Sequence, residues 1–165
     1  MNGYAVLGRQ LQASGLVSDP WLDGAPRFAT QPVLLSAARH RAVGEAATGI
    51  VRVHDELARL VAATPALADS FFGLTRWQRG MWQCAAPDWH GIARADVFWT
   101  ARGPLVCELN SDTPSGEAEA VLGNQLAPRP AGFGFDPNAA LPQRFLAMVR
   151  AWAATCGHRG PLTVG

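Results

Sequence analysis

The stretch 93-ARADVFWTARGPLVCELNSDTPSG-116 decides how this chain is read. On either side of Ala101-Arg102-Gly103 the residues alternate in the two-residue period of strands, which predicts an antiparallel hairpin. A three-residue loop puts Gly103 where the backbone must turn left-handed. With Thr100 facing Pro104, Phe98 faces Val106, Asp96 faces Glu108, and Arg94 faces Asn110. Strand side chains alternate, so Arg94, Asp96, Phe98, Val106, Glu108 and Asn110 share one face. Val97, Trp99, Cys107 and Leu109 form the other face, which is expected to pack on the core. On this reading 105–109 is a buried strand interrupted by one glutamate.

Two carboxylates directly opposite each other repel, with side-chain roots about 5 Å apart. They can share a proton, pair with Arg94, or bind a cation. Together with the Asn110 amide oxygen they make an all-oxygen donor set, which suits a hard ion such as Mg²⁺. An arginine one step along the same face is well placed for phosphoryl charge. The plainer alternative is an exposed hairpin face carrying ordinary charges.

The loop after the hairpin, Asn110 to Gly116, offers three hydroxyls and several backbone N–H groups and leads into a helix at Glu117. A helix N-terminus behind such a loop is an anion site by construction. A simple helix cap, with Ser115 as N-cap, explains Ser115 but not the polar run before it.

Composition narrows the function classes. The 165 residues are 48% hydrophobic and 16% charged, which predicts one compact domain with a sizeable core. A net charge of +1 gives no electrostatic case for nucleic acid or an anionic membrane. All 14 basic residues are Arg, so no lysine here can form a Schiff base or cradle a phosphate. Cys84, Cys107 and Cys156 have no CxxC spacing and read as apolar residues of a reducing compartment. The N-terminus lacks a basic region followed by an apolar run, and no apolar stretch reaches membrane-spanning length. A cytoplasmic location is the expectation.

Elsewhere the spacing predicts a short amphipathic helix over 4–15, a loop around 19-DPWLDGAP-26, and a long helix from Pro32 to about Ala63, weakened at Gly44 and Gly49. Thr64-Pro65 opens a further short helix. Helices are expected over 117–126 and 140–155, the latter with Leu141, Phe145, Met148 and Trp152 on one stripe. The ending 161-PLTVG-165 reads as the opening of a strand. The interleaved 76-RWQRGMWQ-83 resembles a single-strand nucleic-acid platform, but a core anchor among solvated arginines is the better account. His40, His54, His90 and His158 show no ligand spacing. The glycines of 132-GFGFD-136 read as a loop and not as a dinucleotide site.

The arrangement R-x-D, an eleven-residue interval, then E-L-N-x-D-T-P-[ST] resembles the glutathionylspermidine synthase type of circularly permuted ATP-grasp domain. Arg94, Asp96, Glu108, Asn110, Asp112, Thr113, Pro114 and Ser115 carry it, followed by a helix with Glu119 and Gln125. The likeness covers about residues 90–126, roughly a quarter of the chain. It implies an α+β fold, mostly helical, with the hairpin bearing the metal motif. It further implies that Asp96, Glu108 and Asn110 hold Mg²⁺ bridging the phosphates of ATP, that Arg94 stabilises the transferred phosphoryl group, and that Thr113 and Ser115 lie near a carboxylate substrate. The family reaction makes an acyl phosphate that an amine attacks to form an amide.

In that family the nucleotide-binding lysines sit in a separate lobe that follows the metal motif. The absence of lysine makes residues 1–165 the expected N-terminal portion of a larger carboxylate–amine ligase, inactive alone and prone to self-association through surface the lobe would cover. Its partners would be a small-molecule carboxylate and an amine. The alternative is a non-catalytic domain that keeps the fold and binds a ligand or partner.

Overall fold

The computed structural model describes residues 3–85, 91–111 and 114–163. In chain order the elements are α1 (Gly3–Ala13), β1 (Trp21–Leu22), β2 (Ala25–Pro26), α2 (Ala37–Ala63), α3 (Ala66–Ser70), α4 (Arg76–Ala85), β3 (Arg94–Thr100), β4 (Gly103–Asn110), α5 (Glu117–Leu126), a 3₁₀ turn (Pro137–Ala140) and α6 (Leu141–Thr155). The fold is therefore mixed α and β, with helix the larger share and two small antiparallel sheets, β1–β2 and β3–β4. Contacts cluster into two compact units, Met1–Leu34 with Ser115–Gly165, and Leu35–Pro114. No helix among the described residues is long and apolar enough to cross a membrane.

In the first unit, α1 buries Tyr4, Leu7 and Leu11, spaced three and four residues apart on one stripe. Leu7, Leu11 and Val17 form a small core, with Phe28 and the α5 residues Leu122 and Leu126 packed against it. The Tyr4 hydroxyl donates to the Pro20 carbonyl and accepts from the backbone N–H groups of Arg27 at 2.9 Å and Phe28 at 3.2 Å. One phenol thus pins both ends of the β1–β2 hairpin onto α1. Asp23 (φ 47°) and Gly24 (φ 78°) form its two-residue turn, with the positive φ at both positions that a tight hairpin needs. The stretch expected to be a plain loop therefore contains a small sheet. Two-residue strands are too short for alternation to announce them.

In the second unit, α2 is a single helix of 27 residues that Gly44 and Gly49 do not interrupt. It begins later than the apolar spacing suggests. Ser36 caps it, its hydroxyl accepting from Arg39 N at 3.2 Å, so 32–35 lie outside the helix. Thr75 and Gln78 form a reciprocal cap on α4: Thr75 N donates to Gln78 Oε1 (2.9 Å), and Gln78 N donates to Thr75 Oγ1 (3.3 Å). Arg79 of α4 pairs with Asp69 of α3. The β3–β4 hairpin lies against α2, with the Arg39 guanidinium 4.9 Å over the Trp99 ring. A two-stranded hairpin is marginal in water alone, so this helix is what holds the motif in place.

Elsewhere three expectations need correction. Gly116 (φ 102°), not Ser115, is the N-cap of α5, and it has no side chain with which to cap the helix. On α6, Leu141, Phe145 and Met148 are half-buried as a stripe, but Trp152 is 61% exposed. Pro161 to Thr163 are irregular and not the start of a strand, while Val164 and Gly165 lie outside the described residues.

Candidate metal and phosphate site

The site is set by the β3–β4 ladder. Asp96 pairs with Glu108, and Arg94 pairs with Asn110, as the spacing predicts. The route to that register differs. Thr100 pairs with Gly103, so only Ala101 and Arg102 make the turn, and Gly103 takes a positive φ of 105°. Trp99 then pairs with Pro104, Phe98 with Leu105, and Val97 with Val106. An irregularity between Asp96 and Val97 leaves Cys107 as the extra residue, a β-bulge that returns Glu108 to the position opposite Asp96.

The bulge also changes the faces. Arg94, Asp96 and Phe98 share one side of β3, so their partners Asn110, Glu108 and Leu105 lie on that side too. Val106 moves to the opposite face with Val97, and Leu105 replaces it beside the carboxylates. Cys107 is exposed and is no part of a core face; its thiol donates to the Asp96 carbonyl at 3.5 Å. Val97, Val106 and Leu109 are half-buried on the α2 side, so the strand expected to be buried is half-covered at most. Phe98 (63% exposed) and Leu105 (56% exposed) form a bare apolar pair on the carboxylate face.

Asp96 is neutralised locally. Arg94 Nε donates to Asp96 Oδ1 at 2.9 Å, with both side chains roughly two-fifths exposed. Asn110 Nδ2 is buried and has no hydrogen-bond partner among the described residues. A buried amide donor left without an acceptor costs about 1–3 kcal/mol. Among the described residues no group of three His, Cys, Asp or Glu side chains could hold a metal ion. The set here is two carboxylates and an amide, hard oxygen donors that would leave much of a Mg²⁺ shell to water and ligand oxygens.

Of the expected substrate-binding residues, Thr113 lies outside the described residues, together with Asp112, and Ser115 belongs to the other compact unit. The first turn of α5 carries Glu117 and Glu119. These carboxylates already complement the positive end of the helix, which lowers its appeal for an added anion. Arg76 and Trp77 of α4 are exposed, Trp77 by 83%, whereas Trp82 is half-buried. Trp82, His54 and Ser111 line a groove beside α2 that sequence spacing did not indicate, because its walls come from distant segments.

No family model matches the chain, and it matches no curated protein and no solved structure.

Proposed function

We propose that the β3–β4 hairpin is the metal- and phosphate-binding part of an ATP-dependent carboxylate–amine ligase of the glutathionylspermidine synthase-like, circularly permuted ATP-grasp kind. The observation that carries the reading is the facing of Asp96 and Glu108, with Arg94 and Asn110 as the next pair on the same face. The Asp96 and Glu108 carboxylates and the Asn110 amide oxygen would hold Mg²⁺, which when bound draws together the charge of the β- and γ-phosphates. Arg94 would donate to the oxygens of the phosphoryl group as it transfers. A substrate carboxylate oxygen bonds to the γ-phosphorus as the bond to ADP breaks. An amine nitrogen then attacks the acyl carbon, inorganic phosphate leaves, and the amine proton passes to solvent. With no lysine among the 165 residues, the reading assigns the remaining phosphate-binding cations to a separate lobe, and turnover to the two together.

Calorimetric titration of Mg²⁺·ATP into the protein tests this. Weak binding that needs Mg²⁺ and falls about tenfold or more in Glu108→Gln is expected. Binding that ignores Mg²⁺ and the substitution would overturn it.

The Arg94–Asp96 ion pair favours a second reading, a non-catalytic domain whose hairpin face carries its own compensating cation and binds a ligand or partner. The same titration separates the two, since that reading has no place for Mg²⁺.

A further inference from the structure

The first unit holds a half-enclosed groove of about 320 Å³, lined by residues of that unit. Leu7 and Leu11 of α1, with Phe28, Pro32 and Val33 from the segment after β2, supply its apolar lining. From α5 come Glu119, Ala120, Gly123, Asn124 and Ala127, whose spacing places them along one side of the helix. Asn138 of the 3₁₀ turn and Gln31 add neutral amides. Asn124 Nδ2 donates to Asp136 Oδ1 at 2.8 Å, and Asn138 N donates to the same oxygen at 2.9 Å. One carboxylate thus ties the turn to α5. With its Nδ2 held there, the part of the Asn124 amide left for another partner is the oxygen, an acceptor. An apolar wall with a few polar groups is the usual make-up of a small-molecule site, and the volume stands at the lower end of their range.

Gly123 bears on what the groove is for. Glycine is unfavourable inside a helix, and Gly123 has no left-handed backbone to require it. A Cβ there would meet no described atom within 4 Å, whereas one at Gly8 of α1 would strike the Trp21 ring at 2.6 Å. Packing explains Gly8. It does not explain Gly123, whose missing side chain leaves room for an occupant. Val33, 82% exposed, is apolar surface that such an occupant would cover. Glu119 supplies the charge. The Arg27 guanidinium stands 3.9 Å from its Oε1 and is 43% exposed. That distance is beyond a hydrogen bond, so this weak ion pair leaves the carboxylate lone pairs open to a donor. A carboxylate and an amide oxygen call for a positively charged donor head, and the apolar lining calls for a hydrocarbon body. We propose that this groove binds a small organic monoamine, its ammonium at Glu119 and its hydrocarbon body lying over Gly123. The site uses none of the hairpin residues and does not depend on the reading given under Proposed function.

The test is calorimetry and ligand-observed NMR on the whole chain with 2-phenylethylamine as probe, against ethylamine, 2-phenylethanol and 3-phenylpropionate. The probe should bind about tenfold or more tighter than ethylamine, which has no ring to bury. It should bind about tenfold tighter than 2-phenylethanol, which cannot make a charge-assisted hydrogen bond to Glu119 as a cation, and 3-phenylpropionate should bind weakest. Gly123→Leu fills the groove from a helix position that favours leucine. Glu119→Gln keeps the shape of the side chain and removes its charge, giving up only a long, exposed ion pair. Each should weaken the probe by about tenfold or more, and thermal melts confirm that both variants fold. No binding of the probe, binding no tighter than ethylamine, or wild-type binding by Gly123→Leu overturns the groove. Equal binding of 2-phenylethanol or 3-phenylpropionate, or wild-type binding by Glu119→Gln, overturns the ammonium assignment. Glu108→Gln should leave the probe's affinity unchanged; a loss there would put the amine at the hairpin carboxylates and overturn the site.

Discussion

Asp96 faces Glu108 because Cys107, one residue earlier in β4, is bulged out of the ladder. Without that extra residue the register set at the turn would place Cys107 opposite Asp96 and send Glu108 to the α2 side. A bulge next to a cluster of polar groups is the usual means of re-aiming a side chain.

The side chain of Cys107 is not what makes the bulge. Its thiol is exposed and makes one weak contact, so Cys107→Ala should change stability by no more than about 0.5 kcal/mol. Val106→Ala, on the half-buried face against α2, should cost about 1 kcal/mol or more. Urea denaturation of the two variants side by side checks the assignment of faces; the reverse order would mean that Cys107 and not Val106 packs inward.

Glu108→Gln removes one of two facing carboxylates and should leave stability unchanged or raise it by a few tenths of a kcal/mol. Asp96→Asn relieves the same repulsion but also breaks the ion pair with Arg94. An exposed pair of this kind is worth about 0–1 kcal/mol, so Asp96→Asn should be the less stable of the two. Chemical denaturation in low and high salt measures both, and the gap between the variants should narrow as salt screens the pair.

Gly8 sits where the Trp21 ring crosses α1. A Cβ there would lie 2.6 Å from two ring carbons. Gly8→Ala gains helix propensity at an interior position, about 1 kcal/mol, yet should destabilise the protein by about 1–3 kcal/mol through overpacking. A thermal melt reads the sign directly.

Much of the architecture was legible in the sequence because the period of apolar residues changes where the elements change. The helices α1, α2, α5 and α6 and the β3–β4 hairpin follow from it. The pairs Arg94 with Asn110 and Asp96 with Glu108 were legible too, although through two compensating differences. The turn is one residue shorter than its glycine suggests, and the bulge restores the count. A bulge leaves no mark in an alternating pattern, so the swap of Val106 and Cys107 between faces could not be read. The start of α2 was missed because Val33, Leu34 and Leu35 extend the apolar spacing past the Ser36 cap. The Thr75-x-x-Gln78 box that starts α4 was present as a signal. The groove of Leu57, Val61, Phe72 and Trp82 was not, since packing between distant helices has no period.

Large apolar side chains stand exposed among the described residues, including the facing pair Phe98 and Leu105. Concentration-dependent self-association is expected in sedimentation velocity, and Leu105→Lys should reduce it by placing a charge on that patch. A strictly monomeric chain at high concentration would contradict this.

The central claim is that Asp96, Glu108 and Asn110 form one cation site. Its most direct measurement is paramagnetic broadening of backbone amide NMR signals by Mn²⁺ in the presence of a non-hydrolysable ATP analogue. The account predicts broadening centred on residues 94–97 and 107–111, abolished in the Asp96→Asn, Glu108→Gln double variant while the remaining spectrum stays folded. Broadening centred elsewhere, or the same broadening in the double variant, would contradict it.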